Sequence, residues 1–231
     1  MIFRMETSLH RDLKLIYAGA DARVEIRLAG YRIDAVVGDE LVEIQHGPLA
    51  AIRDKVRRLL KTHHVRVVKP IVASKQLVVR GKRDGRVARR RASPKHGRLL
   101  DLFDELIHFT NVFPHPRLTL EVPMVAVEEW RYPGHGRRRW RRPDDLQVED
   151  QKLVGIESQH QLSTLADLVA LVACPLPTPF HTGDIATGLD IPRWLAQRIA
   201  YCLREMGAAA AVGKQRNTWL YDWTEPRTLV G

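Results

Sequence analysis

"YRIDAVVGDELVEIQ", residues 31–45, is the stretch on which the fold reading turns. "YRIDAVV" is apolar and β-branched, Gly38-Asp39 is a turn-type pair, and "ELVEIQ" returns, so the stretch predicts an antiparallel hairpin. Three polar groups sit inside it, Asp34, Glu43 and Gln45, where hydrophobic side chains would serve stability better. Side chains two apart on a strand share a face, so Glu43 and Gln45 point one way and Val42 and Ile44 the other. Asp34 lies nine residues before Glu43, on the partner strand, and folding at Gly38-Asp39 brings the two carboxylates near each other.

Outward from the hairpin, "ARVEIRL" alternates and predicts a further strand, and residues 5–18 spell a helix with Leu9, Leu13 and Ile16 at helical spacing and Gly19 as its stop. On the other side, "PLAAIRDKVRRLLKTHH" opens with proline and places Leu49, Ile52, Val56, Leu59 and Leu60 on one amphipathic stripe. "VRVVKPIV", residues 65–72, reads as one buried strand. The N-terminal part is thus helix, three strands, helix, strand. Beyond it come a basic hairpin turning at Asp84-Gly85, the helix "GRLLDLFDELIHF", a strand over residues 117–130 with Pro123 at an edge or bulge, and a second basic ribbon ending in "LQVEDQKLVGI".

The 231 residues suffice for two domains, set here at residues 1–156 and 157–231. A net charge of +10 favours a polyanionic partner through phosphate neutralisation and counterion release. The charge is clustered. Residues 80–98 hold nine lysines and arginines, Arg83, Arg86, Arg89, Arg90, Arg91 and Lys95 among them, and residues 131–143 hold six arginines, including Arg137, Arg138, Arg139 and Arg141 around Trp140. Solvated surfaces normally mix both signs, so nucleic acid or an anionic surface is implied, with nucleic-acid contact expected for at least one block. "SPKHG", residues 93–97, can grip a phosphate through Lys95 and backbone amides.

No apolar run is long enough to cross a bilayer, and "MIFRMETSLHRDLK" lacks the apolar core of a secretory signal, so no membrane association and a cytoplasmic location are expected. Cys174 and Cys202 have no metal-type spacing, His63-His64 and His115 have no second cluster, and phosphate-binding glycine loops and a nucleophile elbow are missing.

The order Glu6 on an opening helix, Asp34 on a strand, Glu43-Ile44-Gln45 on the next, then an amphipathic helix and a buried strand, resembles the PD-(D/E)xK nuclease superfamily, which includes restriction endonucleases and archaeal Holliday junction resolvases. The resemblance covers residues 5–72. It implies that Asp34 and Glu43 are Mg²⁺ or Mn²⁺ ligands, that Glu6 is a helper carboxylate, and that Gln45 occupies the usual lysine position. Glutamine can orient a water but supplies no positive charge. Lys55, on the following helix, is a candidate replacement, and His10 a candidate assistant, one helical turn after Glu6.

Residues 160–225 resemble winged helix-turn-helix domains: three helical segments, with Thr182 capping the second and Pro192 opening the third, then two strands around a Lys-Gln-Arg-Asn turn. Arg193 and Arg198 on the third helix and Lys214 and Arg216 in the wing are the implied DNA contacts. The expected fold class is α/β: a restriction endonuclease-like mixed sheet flanked by helices, with basic β-ribbon extensions, plus an α+β winged helix-turn-helix domain. The expected function is a Mg²⁺-dependent, structure-specific DNA endonuclease acting on duplex, branched or damaged DNA in repair, recombination or defence. The alternative is a non-catalytic DNA-binding protein, a regulator or architectural factor with a degenerate nuclease core. The resemblance also allows a homodimer. An RNA-processing role is disfavoured, because no aromatic platform motif of single-stranded RNA modules is present.

Overall fold

Tight turns set the first strand pairings. The computed structural model describes residues 7–19, 22–134 and 146–224. Ala29-Gly30 joins β1 (Arg23–Leu28) to β2 (Tyr31–Val37), and Gly38-Asp39 joins β2 to β3 (Glu40–Ile44). Leu28 pairs with Tyr31 and Val37 with Glu40, so each loop has two residues. Ala29, Gly30 and Gly38 take left-handed backbone, at φ 49°, 82° and 58°, which lets so short a turn follow the twist of the flanking strands.

α1 (Ser8–Ala18) starts at Thr7, whose side chain accepts the His10 N–H, and is anchored further along by Asp150, whose carboxylate accepts the Ser8 N–H at 2.9 Å. α2 (Arg53–Leu59) follows a short 3₁₀ turn at Leu49–Ala51 and buries Val56 and Leu59. The expected single strand at 65–72 is two strands instead, β4 (His64–Val68) and β5 (Ile71–Arg80), separated at Lys69-Pro70. Pro70 has no N–H to give a ladder, so regular pairing is interrupted there. β6 (Val87–Ala92) returns antiparallel to β5, α3 (Phe103–Leu106) is a single turn, and β7 (Leu118–Pro133) and β8 (Leu146–Leu162) are long paired strands.

The sheet order is β1-β2-β3-β4-β7-β5-β6, with β8 on β7. β5 and β7 run parallel while β1/β2, β2/β3 and β5/β6 are antiparallel, so the fold is α/β with a large mixed sheet flanked by helices. Pro123 does not lie on an edge strand. β7 is interior, and Pro123 immediately precedes Met124, the first residue registered with β5, so the missing N–H falls outside that ladder.

The chain divides into two units, one of residues Met1–His46, Val68–Arg98 and Val122–His160, the other of Gly47–Val67, Leu99–Glu121 and Gln161–Gly231. In the first, Leu9, Leu13 and Ala18 of α1 pack on Ala35, Val42, Ile44, Val68, Val125 and Val127. Ile16, expected on that face, is 50% exposed.

In the second unit, α4 (Leu165–Ala170) is capped by Thr164 and Asp167 reciprocally. α5 (Thr182–Gly188) is capped by His181, not by Thr182: the imidazole Nδ1 accepts the Asp184 N–H, and the Asp184 carboxylate accepts the His181 N–H at 2.7 Å. Thr182 is already the first helical residue, one place too late to cap. α6 (Arg193–Glu205) opens after Pro192 as expected. β9 (Ala209–Gln215) and β10 (Thr218–Trp223) pair around Arg216-Asn217 alone, because Gln215 faces Thr218. Tyr221 exchanges backbone hydrogen bonds with Phe180, whose ring lies 5.0 Å from that of Trp223. No helix among the described residues is long and apolar enough to cross a membrane.

Candidate functional site

Each of the first three strands carries an acidic residue beside its regular pairing, Glu25, Asp34 and Glu43. Pairing of β2 and β3 runs Val37–Glu40, Val36–Leu41, Ala35–Val42, and one step further stand Asp34 and Glu43. On the other side of β2 the pairing runs Val24–Ala35 and Ile26–Ile33 and skips Glu25, which takes left-handed backbone at φ 55°. Like charges on neighbouring strands repel, so each carboxylate needs its own donors. Asp34 turns inward: Oδ2 accepts the Ile44 N–H at 2.8 Å, and Oδ1 is 3.5 Å from His10 Nε2. Glu25 is held by Lys14 Nζ at 3.0 Å and an Arg32 guanidinium nitrogen at 2.7 Å. The Lys14 hydrogen bond first, and that of Arg32 second, hold its carboxyl below the ordinary range. Glu43 is buried within β3.

The helix above explains how these donors arrive. With about 100° per residue, the stripe buried by α1 is Leu9, Leu13, Lys14 and Ala18. It is rotated from the purely apolar stripe, leaving Leu15 and Ile16 outside and bringing His10 and Lys14 down onto Asp34 and Glu25. Sequence reading missed Glu25 and Lys14 and gave His10 only a helper's part. A helix that buries a lysine while exposing an isoleucine carries the signal, but only the register of β1 shows what the lysine meets.

Beside Glu43, the Gln45 N–H donates to the Val68 carbonyl at 2.8 Å. The next residue, Lys69, is buried, and its Nζ lies 3.4 Å from the His46 carbonyl oxygen. An ammonium therefore sits against the segment that carries Glu43 and Gln45, although none occupies the Gln45 position itself. Lys55 is half-buried on α2, in the other unit. Glu6 lies outside the described residues. Among the described residues no three His, Cys, Asp or Glu side chains form a metal-ligand group.

The first basic block divides by use. β6 is exposed along its whole length. Arg90 is not a free phosphate ligand: it donates to Glu128 at 2.5 Å and lies over the Trp130 ring at 5.6 Å, where Arg80 and Lys152 also stack, at 4.3 and 4.7 Å. Arg89 and Arg91 occupy the other face of β6, and together with Arg83 and Arg86 they are exposed and make no side-chain bond among the described residues. Arg137, Arg138, Arg139 and Arg141 lie outside the described residues.

On the Arg89 face, Glu129 is only 3% exposed and accepts from Lys75 at 2.6 Å, Arg131 Nε at 2.6 Å and Gln151 at 2.7 Å. Burial pushes its carboxyl up, but the hydrogen bonds from Lys75, Gln151 and Arg131 outweigh this and hold it below the ordinary value.

The "SPKHG" turn uses the Ser93, Lys95 and Gly97 amides internally. Lys95 N–H donates to Ser93 Oγ and Gly97 N–H to the Val72 carbonyl at 2.9 Å, and a Cβ at Gly97 would come within 2.5 Å of that oxygen. The Lys95 ammonium and the His96 ring are exposed.

In the second unit, Arg193 is exposed at the start of α6, Arg198 is bound by Asp104, and Lys214 and Arg216 lie exposed on β9 and in its turn. Both cysteines are unpaired, and burial, with Glu205 nearby, pushes the Cys202 thiol up to about 12, so it is an inert packing group.

Residues 7–163 match a family described as a domain of unknown function, DUF8091. The chain belongs to the DUF8091 family. The DUF8091 match contains Glu25, Asp34, Glu43 and both basic blocks of the sequence and ends before α4. An uncharacterized protein of Treponema pallidum (strain Nichols) is 30% identical over 225 residues, covering 96% of this chain and 86% of that protein, so the likeness runs through the C-terminal helices as well. No solved structure matches the DUF8091 chain.

Proposed function

We propose that the protein is a metal-dependent DNA endonuclease, built on a restriction endonuclease-like core with a C-terminal winged helix, that hydrolyses phosphodiester bonds in branched or damaged DNA during repair, recombination or defence. The observation that carries this reading is the pair of inward-held carboxylates on adjacent strands, Asp34 on β2, bonded to the Ile44 N–H and facing His10, and Glu43, buried on β3. Burying carboxylates costs stability, and Asp34 is held by a backbone N–H and a histidine. Asp34 and Glu43 fit Mg²⁺ or Mn²⁺, because Mg²⁺ is commonly bound by one or two carboxylates with waters and phosphate oxygens completing its shell. When bound, the ion would neutralise phosphate charge and lower the pKa of a coordinated water. Gln45 would orient the attacking water, and Lys69 would supply the positive charge that an amide cannot. The exposed Arg83, Arg86, Arg89 and Arg91 grip the backbone. The direct test is incubation with linear, nicked, flapped and four-way DNA with Mg²⁺ or Mn²⁺; intact substrates under every condition would overturn the proposal.

The glutamine at position 45 favours one second reading, a DNA-binding regulator or architectural factor with a degenerate core. Such a protein binds DNA without divalent ions and never cuts.

The assignment of charge to Lys69 has its own expected result. Lys69→Met lowers the cleavage rate about a hundredfold with DNA affinity unchanged, whereas Lys55→Met leaves the rate at the wild-type level. Equal rates for Lys69→Met and wild type in single-turnover assays would remove Lys69 from the reaction.

The ribbon assignment is checked by salt. Each phosphate contact contributes about 0.9 to the slope of log K against log salt, so Arg89→Ala/Arg91→Ala together reduce the slope by about 1.8. Arg90→Ala leaves the slope nearly unchanged and lowers thermal stability instead, because its guanidinium is committed to Glu128 and Trp130.

A further inference from the structure

The outward face of α6 is aromatic as well as basic. The helix buries Leu195, Ile199, Cys202 and Leu203, and places Trp194, Arg198, Tyr201 and Arg204 on one exposed stripe at spacings of three and four. Trp194 is 48% exposed and Tyr201 40%. Arg198 lies 4.9 Å over the Trp194 ring and Arg204 5.7 Å over that of Tyr201. Each guanidinium is held in place by a carboxylate, Asp104 and Glu205 respectively. The hairpin repeats the arrangement: Trp219, 46% exposed, lies 4.2 Å beneath the Lys214 ammonium of the facing strand.

Three exposed rings, each with one cation against it among the described residues, leave π surface open beside positive charge. Arg193, Lys214 and Arg216 have no acidic partner among the described residues. An apolar protein partner would bury the rings but strand those charges. A DNA duplex meets the charges but keeps its bases stacked, so the rings find nothing to pair with. A strand with unpaired bases satisfies both at once, because every base has a π face and every nucleotide a phosphate. We infer that the C-terminal unit binds single-stranded nucleic acid, with unpaired bases stacking on Trp194, Tyr201 and Trp219 and phosphates held by Arg193, Lys214 and Arg216. This rests on the nucleic-acid reading above and narrows it to substrates with an unpaired segment.

The test uses the full chain and fluorescence anisotropy with labelled oligothymidine and a labelled duplex of equal length. Trp194→Ala, Tyr201→Ala and Trp219→Ala each weaken oligothymidine binding about fivefold to a hundredfold, the range of one lost base-stacking contact. Duplex affinity, melting temperature and elution volume stay at wild-type values, and Trp194→Phe, which keeps a ring, recovers most of the loss. Unchanged oligothymidine affinity, equal losses on both probes, or a change of elution volume that marks the face as a contact between copies would each overturn the inference. Duplex binding without oligothymidine binding by the wild type also overturns it while sparing the nucleic-acid reading. A wild type that binds neither probe overturns that reading itself.

Discussion

Asp34→Ala and Glu43→Ala are each expected to lower Mg²⁺-dependent DNA cleavage by about three orders of magnitude or more, since a lost metal ligand removes several kcal/mol of transition-state stabilisation. DNA binding should persist or tighten, because each substitution also removes a negative charge that repels phosphate. The two residues differ in what else they support. Asp34 accepts the Ile44 N–H and faces His10, so its removal leaves a backbone donor to water and costs about 1 kcal/mol of stability. Asp34→Asn keeps an acceptor oxygen for that N–H, and it should therefore recover the stability without recovering cleavage. Glu43→Gln keeps shape and burial at β3 and should behave in the same way. The readouts are single-turnover cleavage of a labelled four-way junction, anisotropy for binding, and thermal denaturation. Wild-type cleavage rates in Asp34→Asn and Glu43→Gln would place the chemistry elsewhere in the molecule, whatever the protein binds.

Glu129→Ala is expected to destabilise the protein by about 3–5 kcal/mol, the usual consequence of leaving buried charge without its partner. Lys75, Arg131 and Gln151 all converge on this one carboxylate, and Lys75 and Arg131 would be left with no counter-charge on a largely covered face. For a chain of this size that is a fall in melting temperature of roughly 10 °C. The effect depends on pH in a stated direction. The folded carboxyl lies below its ordinary value, so Glu129 adds stability above the unfolded carboxyl value of about 4.3, and that stability is lost as pH falls through the lower folded value. The difference in stability between wild type and Glu129→Gln should thus be full at neutral pH and shrink steadily in acid below that value. A difference that stays constant from neutral pH into acid would show that the interaction is packing and not charge. Arg131→Ala, which leaves Lys75 and Gln151 on the carboxylate, should cost clearly less than Glu129→Ala.

The local elements were legible in the sequence because their causes are local. Gly38-Asp39 between two β-branched runs is enough to fold β2 onto β3, and that pairing alone brings Asp34 level with Glu43. The apolar stripe of α2 and the Pro192 start of α6 depend on residues within a few positions of one another and appear where the spacing puts them. The break at Lys69-Pro70 was within reach of the same reasoning, since proline cannot donate to a strand ladder, yet the apolar residues on both sides read as one strand.

Partner choice was not legible. Nothing near Arg90 in the chain marks it apart from Arg89 and Arg91; its commitment follows from β7 lying beside β5 and bringing Glu128 and Trp130 under one face of the ribbon. The rotation of α1 follows from Glu25 and Asp34 waiting on β1 and β2, and it reverses the expected places of Ile16 and Lys14. By itself the sequence determined the order of helices and strands, the clustering of positive charge and the facing of two acids across a hairpin, because turn geometry and side-chain periodicity act over a few residues. Only the tertiary structure decided which charges are spent inside the molecule and which reach outward, because a side chain's counter-ion is selected by strands far away in sequence whose register no local pattern encodes.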